Sequence, residues 1–126
     1  MNKVFILLWM FFMHIVDDFY LQPGLLSKMK QKSWWEQNAP DKMYRYDYIW
    51  ALFAHSFSWA FMIMLPVAYY FNFNINYKFF ILFVINAVVH AMVDNWKAND
   101  KLINLWQDQL IHSSQIILTA TLIFGI

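Results

Sequence analysis

Four apolar runs fill most of this 126-residue chain, and each is close to the length of a bilayer crossing. The first covers 4–21 and holds eighteen residues. At about 1.5 Å per residue it reaches about 27 Å, just enough to cross the hydrocarbon layer. It ends at Gln22-Pro23-Gly24, a sequence that stops a helix. The second run covers 48–71 and carries Pro66, which frees one carbonyl and is expected to kink the helix. The third covers 79–96 and the fourth 103–125. Nothing is left over for a soluble domain. The expected fold is therefore all-α: an integral membrane four-helix bundle, one transmembrane domain over 1–126. A cleaved signal peptide competes for the first run, because Lys3 is basic and the run is short. No small-x-small cleavage site follows it; two aspartates and an aromatic do.

Composition points the same way. Apolar residues make up 61% and charged residues 13%, against about 45–50% and about 25% in an average globular chain. The absence of Cys excludes disulfides, a thiolate metal site and a cysteine nucleophile. A net charge of +1 leaves no basic surface suited to nucleic acid, so no nucleic-acid partner is expected.

The connections between runs carry the charge. Residues 23–47 form the only long one, read as an interfacial loop; 72–78 and 97–102 are short. Lys28, Lys30, Lys32, Lys42, Arg45, Lys97 and Lys101 fall on one side, and only Lys3 and Lys78 on the other. The positive-inside rule places the seven in the cytoplasm. The chain is then a multi-pass protein of the inner (cytoplasmic) membrane with both termini outside. In the long connection Trp34, Trp35, Tyr44, Tyr46 and Tyr48 alternate with Lys and Arg. That mixture favours the headgroup layer. It reads as an interfacial anchor, or as a lid that recognises an anionic lipid or a small anionic substrate.

Each run carries one histidine, at a matching depth. His14 lies eight residues before Gln22, His55 seven after Tyr48, His90 seven before Lys97 and His112 six after Trp106. All four therefore sit about 9–12 Å from the same surface. Aspartates accompany them at helical spacing: His14 with Asp18, His90 with Asp94, and Asp108 with His112 are i, i+4 pairs. His55 is flanked by Ser58 and Trp59. On oily helices such polar stripes turn toward one another.

Converging imidazoles and carboxylates are what a divalent cation needs. Helix bundles build metal sites this way, and i, i+4 partners either chelate or orient one another. Oxygen and nitrogen donors without sulfur suit zinc, with manganese or iron as alternatives. Interhelical hydrogen bonding is the plainer explanation of buried polar groups. It calls for Asn, Gln, Ser and Thr, whereas an aspartate at mid-helix costs about 2.5–3.5 kcal/mol on the insertion scale. Asp17 is expected to face headgroup water, and Lys97 to snorkel or to pair with Asp94 or a substrate phosphate.

Four segments of the chain also form an ordered set: H-I-V-D-D-F-Y-L-Q at 14–22, the single His55 after a basic aromatic loop, H-A-M-V-D-N-W-K at 90–97 and D-Q-L-I-H at 108–112. In this order the chain resembles the small bacterial and phage membrane proteins grouped as domain-of-unknown-function family 3307. The resemblance spans nearly the whole chain. It implies that His14, Asp18, Gln22, His55, His90, Asp94, Lys97, Asp108 and His112 are the family's polar positions, and it implies no activity. Asp17 stands where a small residue is expected. More loosely, the His/Asp pattern is similar to bacterial membrane proteins described as metal-dependent hydrolases.

The expected function is metal-assisted hydrolysis of an ester or phosphoester at the membrane. His55, His90, His112, Asp94 and Asp108 are the expected metal ligands, Asp18 and His14 the catalytic pair, and Lys97 and Gln22 the substrate-binding residues. A proton or metal-ion transporter is the alternative, as is a non-enzymatic membrane accessory protein. A homo-oligomer is compatible with all three.

Overall fold

The computed structural model describes residues 1–126, and all of its regular structure is helical. Helix α1 (Lys3–Ile15) continues into a wider π-helical turn, Val16–Leu21. Two short helices follow, α2 (Leu25–Met29) and α3 (Lys32–Asn38), then a single 3-10 turn at Lys42–Tyr44. Three long helices complete the chain: α4 (Asp47–Tyr70), α5 (Tyr77–Ala98) and α6 (Leu105–Phe124). The connection over 23–47 is thus not a plain loop; most of it is short helix.

The ends are set by local chemistry. Asn2 Oδ1 accepts from Val4 N–H and Asn76 Oδ1 from Phe79 N–H, so asparagine caps α1 and α5. Helix α6 opens with a capping box: Asn104 Oδ1 accepts from Gln107 N–H at 3.0 Å, and Gln107 Oε1 from Asn104 N–H at 2.9 Å. That start fixes the register of Asp108 and His112. Helix α4 runs through Pro66 without ending. At the far ends of the helices, Lys3 and Lys78 donate to the Phe124 and Leu122 carbonyls and so satisfy the C-terminus of α6.

The four long helices pack α1 on α4, α4 on α5, α5 on α6 and α6 on α1. Ile6, Met10, Ile63, Val67, Ile116 and Phe124 belong to an apolar core in the half of the molecule that holds both termini. The other half is built differently. Eleven of the 28 buried residues are polar or charged, whereas Phe12, Trp50, Phe57, Val84 and Leu118 face outward. A polar interior under an apolar exterior is the pattern of a protein solvated by lipid. Three helical stretches, Lys3–Leu21, Lys42–Tyr70 and Tyr77–Ala98, are long and apolar enough to cross a membrane. Helix α6 has the length, but its opening third (Gln107, Asp108, Gln109, His112) is polar.

Candidate metal centre

The wider turn at the end of α1 shapes one wall of the site. In a π turn the N–H bonds five residues back, and Gln22 N–H reaches Asp17 O at 3.0 Å. The extra residue lets two successive side chains turn inward. Asp17 is therefore buried, 1% exposed, rather than facing headgroup water as its position suggested. Ser58 Oγ donates to its Oδ1 at 2.5 Å, and its Oδ2 faces His55 Nδ1 at 3.4 Å. Asp18 turns into the centre of the molecule beside it.

All four histidines are buried and come together, as their shared depth requires. The rings of Trp59, His90 and His112 form a stack, with centroids 4.2 Å and 3.9 Å apart. His55 leans on His90 with centroids at 4.9 Å. Three Nε2 atoms and two carboxylates then meet. His55 Nε2 lies 3.0 Å from His90 Nε2, 3.3 Å from Asp18 Oδ1 and 3.4 Å from Asp94 Oδ2. His90 Nε2 lies 4.0 Å from Asp18 Oδ1 and 3.7 Å from Asp94 Oδ1. His112 Nε2 lies 3.3 Å from Asp94 Oδ1. Two overlapping triads result, Asp18–His55–His90 and His90–Asp94–His112, and either can hold a metal ion. Ligands about 2.0–2.2 Å from a tetrahedral zinc ion lie about 3.3–3.6 Å from each other, and the separations in the two triads, 3.0–4.0 Å, bracket that range.

The groups behind these residues aim them. His112 Nδ1 lies 3.1 Å from Gln115 Oε1, and Gln115 Nε2 is spent as a donor to Asn86 Oδ1 and O. The Nδ1 atom is therefore the donor to Gln115, and Nε2 faces the cluster, where the neutral ring would offer its lone pair to a cation. His55 Nδ1 faces the Asp17 carboxylate at 3.4 Å, a charged neighbour rather than a formed hydrogen bond. Metal-bound imidazoles are held by this kind of carboxylate or carbonyl partner. Two imine nitrogens 3.0 Å apart repel, so a proton or a cation must lie between His55 and His90.

His14 stands apart. Its Nδ1 accepts from Trp59 Nε1 at 2.8 Å, so its Nε2 is the N–H and donates to Gln109 Oε1 at 2.9 Å. Gln109 Nε2 in turn donates to Asp18 Oδ2 at 3.3 Å and Asp108 Oδ2 at 3.0 Å. Both nitrogens of His14 are occupied, and neither belongs to the triads. Asp108 lies at the edge: Lys97 Nζ is 3.1 Å from its Oδ2, and its Oδ1, 3.2 Å from His112 Nε2, has no donor. Lys97 thus pairs with Asp108, not Asp94. Gln22 is half-buried at the end of the π turn.

Asp94 has a partner that the sequence did not suggest. Lys30, from the end of α2, is 3% exposed and places Nζ 2.7 Å from Asp94 Oδ2. Asn99 at the end of α5 puts it there: Asn99 Nδ2 donates to Lys30 O at 2.9 Å, and Asn99 Oδ1 accepts from Lys32 N–H at 2.7 Å. A lysine in a segment expected at the interface gives no pattern that marks it as inward. Four carboxyl groups, Asp17, Asp18, Asp94 and Asp108, thus face two lysines, Lys30 and Lys97, around the cluster.

Fold and site together define a helical protein with helices able to cross a membrane and a buried His/Asp cluster able to hold a metal ion. The chain belongs to the family described as protein of unknown function (DUF3307), whose model matches residues 6–126. No curated protein and no solved structure matches it.

Proposed function

We propose that this protein is an integral membrane four-helix bundle, with α6 as the fourth crossing, that acts as a metal-dependent hydrolase of an ester or phosphoester at the cytoplasmic face of the inner membrane. The observation that carries the reading is the meeting of His55, His90 and His112 Nε2 with Asp18 and Asp94 oxygens at 3.0–4.0 Å, brought from four separate helical segments. Either triad, Asp18–His55–His90 or His90–Asp94–His112, would hold one cation, best suited to zinc, with manganese or iron as alternatives. A divalent ion supplies Lewis-acid polarisation of the scissile group and lowers the pKa of water. Asp108 Oδ1, free of donors while Lys97 and Gln109 fix Oδ2, is placed to take a proton. His14 positions Asp18 and Asp108 through Gln109. Lys97, 31% exposed, and Gln22 lie where an anionic group arrives.

Sidedness rests on charge. Lys28, Lys32, Lys42, Arg45 and Lys101 crowd the end nearest the cluster, against Lys3 and Lys78 at the other. A transport path is less well supported. Fully buried Trp59 floors the site; polar groups continue from His112 through Gln115 and Asn86 only as far as Thr119, and the core beyond is apolar, with Ile6, Ile63, Val67, Leu82 and Phe124.

Elemental analysis of detergent-purified protein beside a His90→Ala/His112→Ala variant tests the reading. About one zinc, manganese or iron per chain in the wild type and none in the variant is expected. Negligible metal in both sinks it.

A further inference from the structure

The segment over the site has a second, outward-facing feature. A cavity of about 460 Å³ opens between α3, the 3-10 turn and the start of α4. Its volume is in the usual range for small-ligand sites, about 300–1,000 Å³. Three cations line it, Lys32, Lys42 and Arg45. None of them has a carboxylate within ion-pair distance or a side-chain hydrogen bond, although Glu36 and Asp41 line the same cavity. Lys32 Nζ instead lies over the Tyr48 ring at 5.1 Å, and the Arg45 guanidinium over Tyr46 at 5.5 Å. Cation–π contacts hold these groups by one face and leave their N–H donors free.

The wall behind them is tied down by a hydrogen bond and a ring stack. Trp35 Nε1 donates to Met29 O at 2.8 Å, and the Trp35 ring stacks on Tyr44. The cavity also sits at headgroup depth. Tyr20, Tyr46, Trp50 and Trp106, all at this end of the helices, are 64–79% exposed, and such aromatics mark the membrane–water boundary. Tyr48, on the cavity wall, is seven residues before His55, about 10 Å along α4. Lys30 and Lys32 connect the two features: one side chain reaches in to Asp94 and the other out to the cavity, with Asn99 gripping the backbone between.

We infer that this cavity binds the phosphate of an anionic phospholipid, with its acyl chains in the adjacent bilayer. The inference rests on the membrane placement given above and names the lipid class that the same site would meet first. A phosphodiester offers acceptors to three free cationic donors. The lining, three cations against Glu36 and Asp41, is net positive by one charge and so favours a lipid with one negative charge over a zwitterion with none. An apolar tail has a place to lie, since Ile49, Trp50 and Phe53 are exposed immediately below on α4.

Native mass spectrometry of the full chain in detergent, titrated with dioleoylphosphatidylglycerol or dioleoylphosphatidylcholine, tests this. Wild type should prefer the glycerol lipid by about tenfold or more, given three cations acting near one phosphate. A Lys32→Ala/Arg45→Ala/Lys42→Ala variant, altered only at exposed positions, should lose that preference while keeping its metal content. A Lys28→Ala/Lys101→Ala control, which removes cations outside the cavity, should keep it. Equal binding of the two lipids by wild type, or equal loss in both variants, overturns the inference. Displacement of the lipid by an equal concentration of glycerol 3-phosphate also overturns it, because the occupant would then be a soluble phosphate ester. Metal-free wild type that still prefers phosphatidylglycerol would remove the hydrolase reading and leave this one standing.

Discussion

Lys30 Nζ and Asp94 Oδ2 meet at 2.7 Å across 64 positions of sequence, with both side chains almost wholly buried. Oδ2 thus takes the ammonium while also facing His55 Nε2 at 3.4 Å, and Oδ1 faces His90 and His112. Removing one partner of such a pair leaves an uncompensated buried charge, at a cost of about 3–5 kcal/mol. Lys30→Met should therefore lower the thermal stability of the metal-free protein in detergent substantially. Added zinc should recover much of that loss, because a cation at the cluster replaces the missing positive charge. Thermal unfolding with and without zinc checks this. The same drop in both conditions would mean that Asp94 serves only as an ion-pair partner.

Asp17 and His55 form a second pairing with a measurable consequence. The carboxylate faces the Nδ1 side of the ring, at 3.4 Å, while Nε2 faces the cluster. Groups that orient a metal-bound imidazole in this way are worth about 10–100-fold in metal affinity. Asp17→Asn keeps the shape and can still accept from Ser58, but loses the charge behind His55. We expect the chain to fold and its zinc affinity, read by competition with a chromophoric chelator, to fall by about that factor. Unchanged affinity would show Asp17 to be a packing residue.

The depth of the cluster was legible in the sequence because it depends only on helix rise and on where each apolar run ends. His14, His55, His90 and His112 need no tertiary information to be placed level with one another. Facing was legible only where the helix is regular. His90–Asp94 and Asp108–His112 follow i, i+4 spacing, whereas Asp17 was misplaced because one π turn shifts the register within α1's extension. Lys30 was illegible for another reason. Its inward direction depends on Asn99, some seventy positions away, gripping the Lys30 carbonyl and the Lys32 N–H just after it. The division of labour at His14 was hidden as well, since it depends on Trp59 supplying the proton to Nδ1. Expected ligand Asp108 lies outside both triads and expected catalytic residue Asp18 inside one, a swap that i, i+4 spacing cannot decide.

That swap predicts different behaviour for two aspartates. Asp18 Oδ1 is enclosed without a hydrogen-bond donor and lies within reach of two Nε2 atoms, so Asp18→Asn should strip a ligand charge from the cation. Asp108→Asn changes a group at the edge that is held by Lys97 and Gln109. Metal content measured on the two variants side by side should be strongly reduced in the first and close to wild type in the second. The reverse result would restore Asp108 as a ligand and Asp18 as the proton acceptor.

Sidedness can be measured directly because the chain has no cysteine of its own. A single cysteine placed at Asn2 or Gly125 should react with a membrane-impermeant maleimide in intact cells, since Lys3 and Lys78 are the only cations at that end. A cysteine at Met43 or Leu102, both exposed near the basic segments, should react only after the cells are opened. The paired positions also count crossings. If α6 lies along the surface instead of crossing, the cysteine at Gly125 will label with Leu102 rather than with Asn2. Labelling of Met43 and protection of Asn2 in intact cells would turn the protein over, and would put the His/Asp cluster and the cationic cavity on the outer face.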